Sequence, residues 1–549
     1  MKARRIVISV ISFILSAAML TSCGQNDDSS TAPKTSAKTT TTTTASKRET
    51  TTTTKEVKQT EASEIMTEDV EETNGDTSLY SDRVMFFNDA TTKGAAADGA
   101  YMAEEYSEYT DNDFKNVSDE PVSTFSTDVD TASFTRVRRM INDSMSIDGE
   151  AVRTEEFVNY FKYDYPQPQG DDKVAINTEL SDCPWNSNAR ILRIGLQAKE
   201  AEVKDIDSNI VFLIDVSGSM LGEDRLGLVQ KAFAMLAENL GQNDRVSIVT
   251  YAGDDAVVLQ GTSGADKDKI IKALNSLEAG GSTAGAKGIN TAYELAEKNF
   301  IEGGNNRVIL ATDGDLNVGI SSVEELTDLI TDKKESGIFL SVLGFGIGNY
   351  KDNRLEALAD NGNGNYAYID SLDEAERVLV TEMNGTMFTV AKDTKVQVEF
   401  SENCVKRYKL IGYENRMLQT EDFEDDTKDA GDIGSGQQVT ALYELILNDA
   451  PENDMLKVSV RYKEADEDVS KLIEKEVKND EYVELSKISD NMKGAVAAAM
   501  FAKAIRSESK ENNENEPLGK EELFSYIDAS PLPSAFSELS ELIEKYRAL

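Results

Sequence analysis

Phe212-Leu213-Ile214-Asp215-Val216-Ser217-Gly218-Ser219-Met220 is the stretch that decides the fold. An apolar run over residues 209–214 ends in Asp-x-Ser-x-Ser, and an amphipathic helical pattern follows over 225–240. Uninterrupted apolar runs of this length read as strands buried on both faces, and such strands belong to parallel sheets. The alternation continues: a strand over 245–251, helices over 266–277 and 285–299, a strand over 307–311, a helix over 323–336 and a strand over 338–345. It predicts an α/β, Rossmann-like domain, a mostly parallel sheet with helices on both faces.

Ligands of such sheets bind outside the carboxyl ends of the strands. Side chains at alternate positions point the same way there, so Asp215, Ser217 and Ser219 converge. One carboxylate and two hydroxyls are hard oxygen donors, which suits Mg2+. Two further loops reach the same edge. Gly280-Gly281-Ser282-Thr283 precedes the helix starting at Gly285 and can bring up the Thr283 hydroxyl, while the 307–311 strand runs into Thr312-Asp313-Gly314-Asp315. Asp215, Ser217, Ser219, Thr283 and Asp313 are thus expected to line one site.

The flanks read differently. Before the α/β part come helical patterns at 131–142 and 153–163 and strand-like runs at 174–180 and 190–197. After it, 394–400, 439–447 and 455–462 alternate apolar and polar residues as half-buried antiparallel strands do. Helices follow at 490–508, 520–527 and 535–546. The two flanks together predict a β-sandwich, with the α/β domain inserted in it and a helical C-terminal part. The organisation expected is a signal peptide (1–22), a disordered linker (23–118), an N-terminal region (119–206), the α/β domain (207–392) and a C-terminal β and helical region (393–549).

Lys2, Arg4 and Arg5 precede an apolar stretch at 6–19 that is too short to span a bilayer. Leu20-Thr21-Ser22-Cys23-Gly24 then resembles the lipobox of bacterial lipoproteins. That resemblance implies acylation of Cys23, a lipid-only anchor and a place on the extracytoplasmic face of the cell membrane. The threonine tract at 31–60 and the acidic stretch at 61–76 lack apolar periodicity and read as a tether.

The formal net charge of −43 repels nucleic acids, so none is expected as a partner. The absence of histidine excludes histidine-dependent triads and zinc-peptidase sites. Cys183 and Cys404 could pair or remain thiols. Asp128-Val-Asp130-Thr131 has the look of a phosphatase nucleophile string, but no apolar strand precedes it, and Asp130 reads as the N-cap of the next helix. Residues 280–287 miss the P-loop, since Ala286 separates Gly285 from Lys287. No enzyme activity is assigned.

The three loops in order resemble the metal-ion-dependent adhesion site of von Willebrand factor type A (vWA) domains. The likeness covers roughly 207–390, including Gly344-Phe-Gly346-Ile-Gly348-Asn349. The segment from Ser123 to Ser133, with Asp128 and Asp130, and the stretch Tyr163-Asp-Tyr165-Pro166 are similar to the N-terminal region of YfbK-type bacterial vWA lipoproteins, a family that also carries a comparable C-terminal region. The resemblance implies one Mg2+ (or Mn2+ or Ca2+) per domain. The two serines would bind it directly, and Thr283, Asp215 and Asp313 directly or through water. A carboxylate of a protein or polysaccharide ligand would complete the shell. The function expected is metal-dependent binding in adhesion, reception or assembly; a scaffold docking another envelope protein is the alternative, and a hydrolase a distant one.

Overall fold

The computed structural model describes residues 104, 106, 107 and 110–549, apart from 201–205, 282–284, 315–328, 335, 349, 383–384, 386–387, 466 and 510–517. The signal segment, Cys23, most of the tether and Thr283 lie outside the described residues. The N-terminal flank holds β1 (Lys115–Asn116), β2 (Val122–Ser126), α1 (Ala132–Asn142), α2 (Thr154–Asn159), β3 (Val174–Asp182) and β4 (Arg190–Ala198). The central part holds β5 (Ser208–Asp215), α3 (Leu226–Glu238), β6 (Arg245–Ala252), β7 (Asp254–Ser263), α4 (Lys267–Asn275), α5 (Gly285–Lys298), β8 (Asn305–Thr312), β9 (Ile338–Phe345), α6 (Asp352–Asn361), β10 (Tyr366–Ile369) and α7 (Leu372–Glu376). The last part holds β11 (Thr389–Phe400), β12 (Val405–Ile411), β13 (Met417–Leu418), β14 (Ile433–Gly434), β15 (Gln438–Leu447), β16 (Asp454–Glu464), β17 (Lys471–Lys478), α8 (Asp490–Ser509), α9 (Lys520–Ala529) and α10 (Ser537–Ala548).

The central sheet has the order β10-β9-β8-β5-β6-β7. All its pairings are parallel except β6 with β7. All eight residues of β5 are buried, as its apolar run requires. On one face α3 brings in Leu226, Val229, Phe233 and Leu236 at helical spacing, and Phe233 stacks on Phe212 of β5 at 4.2 Å. Ile289, Tyr293 and Ala296 of α5 cover the other face. Of the helix expected over 323–336, residues 329–334 and 336 are described; 329–334 are helical and 336 already lies in a turn. The edge strand β7, the helix α6 and the strand β10 were not foreseen.

The flanks build two antiparallel sheets, β1-β12-β15-β4-β3 and β13-β2-β11-β16-β17, with β14 beside β11. Strands from opposite ends of the sequence pair directly. Residues 190–197 of β4 lie opposite 438–445 of β15, and β2 lies beside β11 with Ser126 opposite Lys395. Leu192, Ile194 and Leu196 meet Val396, Val398, Val458 and Val460 in the shared core, where Phe400 stacks on Tyr408 at 4.1 Å. The helices α1, α2 and α8–α10 form a separate layer with Ile191 and Leu442 of the first sheet. Ala495, Ala498, Ala499 and Ala502 make α8 slim enough to be buried there.

Two local readings need correction, and the open question of the cysteines is answered. Position Thr131, not Asp130, is the N-cap of α1, and it makes no side-chain cap bond. Asp130 instead accepts a hydrogen bond from the Tyr366 backbone N–H at 2.9 Å, at the start of β10. The second helix stops at Asn159, because the aromatic residues after it fold back into the core, with Tyr163 stacked on Tyr165 at 5.2 Å. Cys183 and Cys404 are both buried free thiols; one sits in the helical layer and the other in the sandwich core.

Residues 393–549 alone lack β2, β3 and β4, leaving one hydrogen-bonding edge each of β11 and β15 without its partner. That fragment should show no cooperative melting transition, whereas the full-length chain should; differential scanning calorimetry distinguishes the two, and a sharp transition in the fragment would mean domains in series.

Candidate metal site

β5 carries Asp215 to the carboxyl edge of the sheet and leaves its side chain wholly buried. The carboxylate is held from two sides. Oδ1 accepts the Ser217 backbone N–H at 2.8 Å, and Oδ2 accepts the Thr312 hydroxyl, from the end of β8, at 3.2 Å. Ser217 is extended, and a tight turn over Gly218–Met220 follows, so that the Ser217 and Ser219 hydroxyls face each other at 2.9 Å. Ser217 is buried while Ser219 opens to solvent. Met220 anchors the turn in the core.

The second loop is tied to the first by two backbone bonds, from the Gly218 N–H to the Gly281 carbonyl at 3.1 Å and from the Gly280 N–H to the Val216 carbonyl at 2.7 Å. Gly281 adopts φ +91°, and a Cβ there would stand 3.1 Å from the Ala252 carbonyl, so the close approach depends on glycine. Thr283, two residues on, lies outside the described residues. On the third loop Asp313 is buried next to Asp215, and Gly314 turns the chain away with φ +97° while its N–H donates to the Thr312 hydroxyl at 3.2 Å. Four of the five expected residues, Asp215, Ser217, Ser219 and Asp313, therefore come from two adjacent strand ends.

Burial pushes the Asp215 carboxyl up to about 6, against the bonds from Ser217 and Thr312, and the charge of nearby Asp313 pushes the same way. Among the described residues no lysine or arginine forms an ion pair with Asp215. Nor do the described residues hold a cluster of three or more acidic, histidine or cysteine side chains fit for a metal, so a cation here would need the serine hydroxyls as well. Two buried carboxylates beside two hydroxyls suit a small hard ion. Asp215, Ser217, Ser219 and Asp313 are the described residues that would hold it.

Two contributors were not foreseen. Thr312 orients Asp215, and the Arg225 guanidinium donates to the Ser219 carbonyl at 3.0 Å and the Ile347 carbonyl at 2.5 Å. Thr312 was visible as the last residue of an apolar strand, but the partner of Arg225 lies 122 residues away and left no local signal.

The family model described as von Willebrand factor type A domain matches residues 209–381, one described as von Willebrand factor matches 100–193, and one described as Uncharacterized protein YfbK, C-terminal, matches 385–454 and 448–521. The chain is 44% identical over 351 residues to the uncharacterized protein YfbK of Escherichia coli K12, covering 62% of this chain and 61% of that one. It is 32% identical over 165 residues to calcium-activated chloride channel regulator 1 of Mus musculus, covering 29% of this chain and 17% of that one. The matches span less than two thirds of these relatives' own lengths. Among solved structures, a von Willebrand factor type A protein from Catenulispora acidiphila matches with TM-score 0.38 and 16% identity, over 63% of this chain and 82% of that one. The centre of the chain is a vWA domain, and a YfbK-type C-terminal domain follows it.

The Asp215 carboxyl titrates near 6 in the fold and near 3.8 in an unfolded chain, so the folded state favours its protonated form. The cost of its charge is full above pH 6, shrinks as the pH falls through 6, and vanishes near 3.8. In chelator, Asp215→Asn should therefore be more stable than the natural chain at pH 8, by about 3 kcal/mol at most. The two should melt alike near pH 4. Calorimetry at both pH values checks this, and a gap that does not depend on pH would contradict it.

Proposed function

We propose that this vWA-domain protein of the YfbK family is a lipid-anchored surface protein that binds one divalent cation, Mg2+ foremost, and through it a partner offering a carboxylate. The observation that carries the reading is the buried Asp215 carboxylate, set behind the facing Ser217 and Ser219 hydroxyls and, among the described residues, in no ion pair. Asp313 adds a second carboxylate from the neighbouring strand, and Thr283 is the expected fifth donor. A bound cation supplies positive charge at a carboxyl-terminal sheet edge and leaves a position for an outside oxygen.

The charge balance favours this division of labour. A chain with net charge −43 repels acidic proteins and polysaccharides at long range, and the cation supplies the local attraction. Leu221, two residues after Ser219, is 73% exposed at the rim and offers an apolar contact beside the metal. Acylation of Cys23 would hold the folded part to the membrane, and the threonine-rich segment would space it from the surface. Among the described residues no helix is long and apolar enough to cross a membrane.

Calorimetric titration should give one Mg2+ per chain, and Asp215→Ala combined with Ser217→Ala should abolish binding while the thermal transition persists. Equal affinity in the two proteins would end the metal reading. Cys23→Ser should shift the protein from the detergent phase to the soluble phase or leave it unprocessed; a substituted protein still processed and membrane-held would end the anchor reading. Capture from cell-envelope extract in Mg2+, lost in chelator, should return the partner.

A further inference from the structure

Ahead of β1, the described residues between Glu104 and Phe114 lie against the fold as a strap. Its later part is pinned to the sandwich and the helical layer. The Asn112 side-chain amide donates to the Leu410 and Gly412 carbonyls at 3.3 and 2.9 Å, Asp111 pairs with Arg506, and Arg407 stands over the Phe114 ring at 5.3 Å. Its first described residue, Glu104, reaches the loop after β9 of the vWA domain, and its side chain is only 1% exposed. A glutamate is almost never buried to this extent unless it is paired.

The Glu104 carboxylate has three partners. Oε1 accepts the Gly348 backbone N–H at 3.1 Å, while Oε2 accepts the Tyr106 hydroxyl at 2.7 Å and pairs with Arg136 of α1. The buried Arg136 guanidinium lies over the rings of Tyr350, Tyr368 and Tyr106, at 4.1, 5.0 and 5.7 Å, and its Nε donates to the Tyr106 hydroxyl at 2.6 Å. Aromatic faces attract a cation without neutralising it. The strap supplies the neutralising charge, and a buried pair of this kind holds it down, because parting the two would leave Arg136 buried and uncompensated.

The Gly348 N–H belongs to the same peptide group as the Ile347 carbonyl, and that carbonyl accepts from Arg225 Nη2 at 2.5 Å. The group is rigid and planar, with its N–H and C=O on opposite sides. Arg225 Nη1 in turn donates to the Ser219 carbonyl at 3.0 Å. Glu104, the 347–348 peptide, Arg225 and Ser219 therefore stand in one line of hydrogen bonds. Arg225 also packs flat on the loop, since a Cβ at Gly346 would come within 2.5 Å of its Nε. With Glu104 docked, the peptide cannot turn, and the charged acceptor on its N–H strengthens its carbonyl as the acceptor for Arg225. We propose that the strap regulates the cation site: docked, it holds the Ser217–Ser219 loop ready to bind, and lifted, it lets the site lose affinity. The coupling rests on the metal reading above. It is reciprocal, so a bound cation holds the strap down by the same factor.

Amide hydrogen exchange of the full-length chain in chelator reads the strap without the metal. In Glu104→Ala the peptide spanning residues 345–350 should exchange roughly tenfold faster than in the natural chain, while β16, in the sandwich, keeps its rate. Calorimetric titration should then show Mg2+ bound about fivefold more weakly by Glu104→Ala. Unchanged exchange at 345–350 overturns the strap, and faster exchange with unchanged Mg2+ affinity overturns the coupling. A natural chain that takes up no Mg2+ ends the metal reading and the coupling with it, a failure told apart from that of the strap by the exchange in chelator. Should Glu104→Ala fail to fold, Glu104→Ala combined with Arg136→Met removes both buried charges, a replacement that buried pairs tolerate. That variant must show the same two changes, and their absence overturns the proposal equally.

Discussion

The sandwich closes only because Gln438 of β15 comes to lie opposite Gln197 of β4. Between those two residues lie the vWA domain and the strands β11–β14 of the sandwich, and the turn just before Gln438 touches both connections, with the Ser435 backbone N–H donating to the Phe388 carbonyl at 2.8 Å and the Gly436 N–H to the Lys199 carbonyl at 3.3 Å. The backbone groups of β4 find one set of partners in β3 and the other in β15. Buried strands cannot leave such groups unpaired without a cost comparable to a lost hydrogen bond each. Entry and exit of the vWA domain are therefore held close together. A domain tied by both its ends moves against its host as a body and not at the end of a free linker.

Two arginines fasten that body. Arg153, from the N-terminal flank, contacts Glu156 at 2.9 Å and reaches Asp352 at 2.5 Å and Glu356 at 2.8 Å on α6 of the vWA domain. Arg416, from the sandwich side, reaches Glu356 at 3.0 Å, Asp360 at 2.6 Å, and Asp128 and Asp130. Six carboxylates thus share two guanidiniums in a largely buried setting. Burial first, and mutual repulsion with it, raises the carboxyls of Asp130, Glu156 and Glu356. Groups raised in this way favour the fold in their protonated form, so the junction is tighter on the acid side of neutrality and loosens as the pH climbs. Loss of either arginine would leave several buried charges without a partner, which costs far more than the pairs contribute.

The parts of this arrangement legible in the sequence are those written in short-range pattern. The apolar runs of β5, β6, β8 and β9 and the helical spacing of α3 and α5 identified the central sheet, and Asp-x-Ser-x-Ser marked the end of β5 at its carboxyl edge. β7 escaped because it is an edge strand, mostly exposed, that opens with Asp254 and Asp255. β17 escaped for the same reason, as Lys471–Lys478 alternates charges along a solvated edge. α6 escaped because its buried face includes Asp352 and Glu356, and buried carboxylates look like surface residues until their distant arginines are known. Asp130 was misread on similar grounds. A helix cap is a local explanation for an aspartate, while its partner Tyr366 lies 236 residues away.

Helix α1 joins the two edges of the vWA sheet physically. Its chain enters at Asp130, bonded to the first residue of β10 at the junction edge. It then runs alongside that strand, with the Thr135 hydroxyl donating to the Tyr368 carbonyl at 2.8 Å and Arg138 paired with Asp370 just past the strand. It finishes at the other edge, where Arg139 holds Asp224 at 2.7 Å and the Tyr368 hydroxyl at 3.1 Å. Asp224 closes the loop that begins with Ser217 and Ser219, and its neighbour Arg225 grips the Ser219 carbonyl. Eleven helical residues span about 16 Å as a rod with little internal freedom. The rod thus ties the Ser217–Ser219 loop, through Asp224 and Arg139, to the Asp130–Arg416 contact at the junction. The coupling needs no change in the sheet itself, because α1 belongs to the host and only leans on the inserted domain.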